Sequence, residues 1–176
     1  VVVDAGHGGH DPGARSVSGV REKVLALDTS RRLASALRAR GFRVVETRTG
    51  DRFIPLPDRV AVANRTPGSI FVSVHYNWAR RRGASGIEIH YESDRSRRLA
   101  ANVLRSTLRA YPATNRGIKR SRFHVLRNSK RPAILCELGF LSNSGDNRWV
   151  QSPGVRQKLA ERIANGISAE RAGRSP

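Results

Sequence analysis

The chain has 176 residues, with 33 Lys and Arg against 14 Asp and Glu, for a formal net charge of +19. Its length fits one domain, residues 1–176, that can bury a core without staples. No apolar run approaches the roughly 18 residues of a membrane span, which excludes an integral membrane protein, and the single cysteine, Cys136, excludes both a disulfide framework and a Cys-rich zinc module. The charge draws in polyanions, with nucleic acid, anionic cell-surface polymers and acidic lipids all eligible. Only Lys23, Lys119, Lys130 and Lys158 are lysines, and the basic residues are scattered, so a genomic preference for arginine accounts for such a surface equally well.

The chain opens on VVVDAG, a strand pattern with no signal peptide ahead of it, as for a protein that stays in the cytosol or for an excised mature domain. After the loop GHGGHDPGAR comes a helical periodicity over 20–40, with Val20, Val24, Leu27, Ala34 and Leu37 near one face and Gly41 as its stop. Further β-rich runs are FRVVETR, SIFVSVHYN, GIEIHYE, FHVL and AILCELGF; GIEIHYE alternates Ile87, Ile89 and Tyr91 with Glu88, His90 and Glu92, which reads as an edge or half-exposed strand. Helices are predicted over 56–64, 94–110 with Asp94 as N-cap, and 153–171, and the final AGRSP is expected to fray. Strands that are apolar on both faces and alternate with helices predict a single α/β domain with a mainly parallel twisted sheet of about six strands, covered by helices on both faces. There is no repeat, low-complexity segment or linker.

In open α/β sheets ligands bind beyond the carboxyl ends of the strands. His7 follows VVVDAG, His75 follows SIFVSV, Glu137 follows AILC, and Glu22 begins the first helix. Two histidines and a carboxylate from separate elements suit tetrahedral zinc with a fourth position open for water, and a further glutamate beside that water completes a hydrolase. Each residue alone has an ordinary reading: a hydrogen-bonded histidine, or a glutamate complementing a helix dipole. Glu137 resists it, since an acid between ILC and LGFL is buried and requires a metal, an arginine or a reaction.

These residues sit in VVVDAGHGGHDPGA, the Glu22–Lys23 pair, TRTGDRFIPLPDRVAVAN, FVSVHYN, SRRLA, NRGIK, FHVLRN and PAILCELGFLSN. In order and spacing these blocks resemble the zinc-dependent N-acetylmuramoyl-L-alanine amidases of the amidase-3 type over nearly the whole chain. The resemblance implies a six-stranded α/β fold and hydrolysis of the amide joining the lactyl group of N-acetylmuramic acid to the L-alanine of the stem peptide. It places one zinc ion on His7, Glu22 and His75 and the catalytic role on Glu137. Two departures stand out: Asp4-Ala5-Gly6-His7 replaces the usual Asp-Pro-Gly-His, and Tyr76 stands where a small residue is common.

The same resemblance implies peptidoglycan as substrate, a secreted, wall or periplasmic location, and an open site, since no long insertion separates His75 from SRRLA. A monomer is expected, with anionic envelope polymers as a further partner. Asn77, Trp78, Arg116 and Lys119 are candidates for substrate contact, the last two through stem-peptide carboxylates. Tyr76 and Trp78 line the groove or pack in the core. Asp4 orients His7 or, in preference, hydrogen-bonds the glycine turn. His10 is a loop residue, His90 and His124 are structural, and Cys136 is a small buried hydrophobe.

Phosphate loops and the H-E-x-x-H and G-x-S-x-G signatures are absent. A basic nucleic-acid-binding domain rests on charge alone, without a recognisable module. A catalytically dead wall-binding module is disfavoured by the presence of all four motif residues. A zinc peptidase cutting within the stem peptide uses the same chemistry, and only the resemblance separates it from the amidase.

Overall fold

The computed structural model describes residues 1–172; the expected fraying of AGRSP lies, beyond Ala172, outside the described residues. In chain order the elements are β1 (Val2–Ala5), α1 (Glu22–Arg38), β2 (Val45–Glu46), α2 (Leu56–Asn64), β3 (Phe71–Asn77), β4 (Ile87–Tyr91), a 3-10 turn (Asp94–Ser96), α3 (Arg97–Thr107), β5 (Asn115–Arg120), α4 (His124–Arg127), β6 (Ala133–Phe140), α5 (Ser144–Gln151) and α6 (Pro153–Ala172). The strands form one sheet in the order β2-β1-β3-β6-β4-β5, parallel throughout except where β4 runs antiparallel to β6. The mainly parallel six-stranded α/β fold is as the sequence predicts.

Strand residues alternate between two faces. Val3, Val72, Val74, Ile89, Ile134 and Leu138 face the larger core, packed with Leu33 and Leu37 of α1, Leu99 and Val103 of α3, and Leu159 and Ile163 of α6. Val2, Phe71, Ala133 and Leu135 face the other side, where a small core with Val60 of α2 and Val125 of α4 covers only part of the sheet. Two residues beyond Leu135, on the same face, is Glu137. Among the described residues no helix is long and apolar enough to cross a membrane.

Several local expectations are corrected. GIEIHYE forms β4, which is not an edge: it lies between β6 and β5, and both its faces are buried. Its polar face is satisfied internally, Glu88 by Arg116 and Lys119 and His90 by Ser121, so alternating polarity here reports internal pairing instead of solvent. FHVL is largely the one-turn helix α4, and NRGIK is the edge strand β5. In α1, Val24 is 53% exposed, whereas Leu25, Thr29, Ser30 and Leu33 are buried. Thr29 is accommodated in the buried stripe because its Oγ1 and Tyr76 Oη hydrogen-bond at 2.6 Å.

Gly41 does terminate this helix, at φ 75°, with Phe42 N–H donating to Leu37 O. Asp94 starts the 3-10 turn instead of capping α3. Ser96, at the boundary between the two, makes no side-chain cap either, because its Oγ accepts the Ala133 N–H at 3.0 Å and so ties the helix start to β6. The unforeseen helix α5 is capped by Asn143, whose Oδ1 accepts from Gly145 and Asp146 N–H.

Candidate metal centre and active site

β1 ends at Ala5 and the chain turns sharply through Gly6 and His7. A Cβ on Gly6 would lie 2.3 Å from His75 Cε1, and one on Gly13 would lie 2.6 Å from His7 Cδ2 and 2.8 Å from Glu22 Oε2. Glycine at these positions lets three side chains converge. His7 takes a positive φ of 59°, a conformation that non-glycine residues adopt at a cost of about 1–3 kcal/mol when the surroundings hold them there.

Two buried arginines hold it there. Arg59 of α2 donates Nε to Ile54 O, Nη1 to Asp4 Oδ1 and Ala5 O, and Nη2 to His7 O at 2.7 Å. Arg48 donates to Ala5 O, Gly6 O and Lys23 O. Asp4 therefore neither touches His7 nor binds the glycine turn directly: it accepts from Thr47, Ser73 and Arg59 and acts on the turn through Arg59.

His7 Nε2 lies 3.0 Å from Glu22 Oε2, and His75 Nδ1 lies 3.0 Å from Glu22 Oε1. The three side chains offer ligand atoms that all fall within 4.8 Å of one another. Glu22 also accepts the Ala14 and Tyr76 N–H groups, and Asp11 Oδ2 takes the other nitrogen of His7 at 2.9 Å, the carboxylate-to-imidazole contact that orients metal-binding histidines. Burial alone would lower the histidine pKa values, but hydrogen bonds and charge from Glu22 outweigh it, raising His7 and pushing His75 up to about 9. Burial would likewise raise Glu22, yet its two imidazole partners hold it well below the usual carboxylate range. Two nitrogens and a carboxylate locked in this way form a donor set that fits a divalent metal ion.

Glu137 is paired in register with His75 across β3 and β6. Its Oε2 is buried without a hydrogen-bond partner. Burial pushes its pKa up to about 7; His75 opposes this, and the negative charges of Glu22 and Glu88 reinforce it. A carboxyl group so placed exchanges protons near neutrality.

His7, Glu22, His75 and Glu137 line one cleft of about 550 Å³. It is open to solvent, since the His7 and His75 side chains keep 22% and 19% of their exposure. Trp78, Phe53 and Phe123 are exposed at its rim.

The other candidates fall out differently. Trp78 stands exposed at the rim, whereas Tyr76 is buried in the larger core with its hydroxyl on Thr29. Asn77 is occupied internally, donating to Glu88 Oε1 and accepting the Trp78 N–H. Arg116 and Lys119 both bind Glu88 Oε2, at 2.6 Å. His10 rests against Phe53, His90 is buried between Ser121 and Glu88, and His124 lies on the cleft wall. Cys136 is buried in the larger core, and that burial pushes its thiol well up. Asp11, Arg48, Arg59 and Glu88 escape a reading of the sequence for ligands. Their available signals are a carboxylate four residues after His7, two arginines inside TRTGDRFIPLPDRVAVAN, and the polar face of GIEIHYE.

Comparison with known proteins finds the same fold in amidases. The catalytic domain of CwlV, an N-acetylmuramoyl-L-alanine amidase from Bacillus (Paenibacillus) polymyxa, superposes with a TM-score of 0.94 at 34% identity, covering 97% of each chain. AmiC2 of Nostoc punctiforme, another N-acetylmuramoyl-L-alanine amidase, gives 0.94 at 37% identity, covering 97% of this chain and 96% of that one. A probable cell wall amidase, LytH of Staphylococcus epidermidis, is 31% identical over 95% of this chain, which spans 56% of that relative's length. The family model described as N-acetylmuramoyl-L-alanine amidase matches residues 1–169, and the chain belongs to that amidase family.

Proposed function

We propose that this chain is a zinc-dependent hydrolase that acts at the cell wall, outside the cytoplasm, on the amide between the lactyl group of N-acetylmuramic acid and the L-alanine of the peptidoglycan stem peptide. The observation that carries this reading is the carboxyl of Glu137, its Oε2 buried without a hydrogen-bond partner, beside the His7–Glu22–His75 cluster in an open cleft. His7, Glu22 and His75 would hold the zinc. When bound, zinc supplies Lewis-acid polarisation of the amide carbonyl and lowers the pKa of water to roughly 7.

Glu137 removes a proton from the attacking water and then delivers it to the departing amine of L-alanine. Burial, which raises the Glu137 carboxyl, favours its holding the proton between the two transfers. Arg59 and Arg48 hold the His7 turn, and Asp11 orients the His7 ring. Trp78 and the neighbouring rim supply apolar contact area, which suits the faces of sugar rings or peptide side chains. The net charge of +19 favours adhesion of this monomer to anionic envelope polymers.

The test is digestion of purified peptidoglycan with and without a chelator, followed by identification of the released ends. New N-terminal alanine with intact muramic acid, lost on chelation and restored by zinc, supports the reading. Cleavage only within the stem peptide overturns it. Binding to walls that ignores added salt would remove the role given to charge.

A further inference from the structure

Glu88 lies directly across β4 and β6 from Glu137 in the antiparallel register, so the two side chains share the active-site face. A buried carboxylate next to another buried acid is an expensive choice, and an uncharged residue would fill the same place more easily. The structure neutralises it with two cations on one oxygen: Arg116 Nε and Lys119 Nζ each lie 2.6 Å from Glu88 Oε2, while Oε1 accepts from Asn77 Nδ2 at 3.0 Å. The arginine is also fixed from the side, its guanidinium carbon 4.8 Å from the centre of the Phe140 ring.

Two positive charges on one negative charge leave an excess of one. That excess faces outward, because the Arg116 and Lys119 side chains remain 32% and 39% exposed while Glu88 keeps 6%. Both cations stand on β5, across β4 from the strand that carries Glu137. Toward α2 and α4 the cleft is lined by Ile54, Leu56, Phe123 and Val125 together with Arg59 and His124. Through Glu88, which stands opposite Glu137 on the same sheet face, the two cations sit beside the cleft, just beyond the residues that line it.

We propose that Glu88, Arg116 and Lys119 form a carboxylate-recognition subsite that reads a free carboxylate of the stem peptide close to the cleaved amide, with Glu88 as the positioning residue that holds the two cations. This rests on the amidase reading and assigns a direction to the substrate: peptide over β4 and β5, sugar toward α2 and α4. Arginine and lysine held on a common anchor are already ordered before substrate arrives, so little side-chain entropy is lost when the carboxylate docks. A carboxamide at the same position brings no charge to match.

The experiment uses the zinc-loaded protein and two synthetic muramoyl peptides that differ only at the residue after L-alanine, one with a free carboxylate and one with a carboxamide. The acid is expected to be preferred about tenfold in kcat/KM, chiefly through KM, a factor equal to about 1.4 kcal/mol. In the Arg116→Gln/Lys119→Gln double variant and in Glu88→Gln the preference falls toward one, with zinc content and melting temperature recorded to confirm the fold. Competitive inhibition of the wild type by the released acidic peptide, set against its amide, measures the same preference without any variant. Equal kcat/KM for the two substrates, equal inhibition by the two peptides, or a preference that survives in the folded double variant overturns the subsite and leaves the amidase reading standing. Failure of the zinc-loaded wild type to cleave either substrate overturns both.

Discussion

On the face covered by α1, α3 and α6 the strands present Val72, Ile89, Ile134 and Leu138, all fully buried. One residue along each strand, on the face that α2 and α4 only half cover, stand Ser73, His75, Glu88 and Glu137. The same backbone carries both sets, because alternation gives each strand two independent surfaces. One face supplies stability through area removed from water, and the other spends part of that stability on a strained turn, a carboxyl oxygen buried without a partner and clustered charges. The difference teaches where a substitution should register: in folding on the first face, in turnover or metal on the second.

The sharpest way to break this comparison is Glu137→Ala. Turnover of purified peptidoglycan should fall by about 10³-fold, within the range that general acid–base groups contribute, while zinc content measured by atomic absorption stays near one per chain. Full turnover in the zinc-retaining variant would remove the division between faces. Arg59→Ala should cost about 3–5 kcal/mol in urea unfolding, because it strands Asp4 as an unpaired buried charge, and it should also weaken zinc retention in a dialysis series by releasing the His7 turn. Leu159→Ala, on the fully covered face, should cost about 2–5 kcal/mol with kcat unchanged at temperatures below the melting transition.

A smaller effect concerns acid. Burial would raise the Glu88 carboxyl, but Lys119 and Arg116 outweigh it and hold it below its ordinary value. A depressed pKa contributes stability that is present above the unfolded value, about 4.3, and is lost as pH falls through the folded value. Between about pH 5 and 3 the urea midpoint of the wild type should therefore fall more steeply than that of Glu88→Gln; parallel slopes would show that the cations do not bind the charged form more tightly than the neutral one. Smallest of all, Val24→Ala on the exposed side of α1 should change stability by no more than about 0.5 kcal/mol, checked by the same unfolding curves.

The elements legible in the sequence are those whose signal is local. β1, β3 and β6 announce themselves by the runs VVV, IFVSV and AILC, and α2 is bounded at 56–64 by its own composition. His7, His75 and Glu137 can be placed together because each follows such a strand and the sheet aligns their ends. The rest depends on partners far along the chain. Glu88 looks like an outward residue until Arg116 and Lys119, 28 and 31 positions later, are folded against it. Arg59 looks like an ordinary charge on α2 until it meets Asp4 and His7, more than fifty positions earlier. No local window distinguishes a charge facing water from one satisfied inside the protein.

The two outer strands have a consequence for how the molecule behaves among copies of itself. A sheet margin with free N–H and C=O groups is a template on which another chain can add a strand. Here one margin, β2, is only two residues long, and the other, β5, is interrupted by a register shift and studded with Arg116, Lys119 and Arg120. Neither offers a flat, uncharged row for a second molecule to extend. The cationic strand β5 thus guards the protein against sheet-to-sheet aggregation at high local concentration.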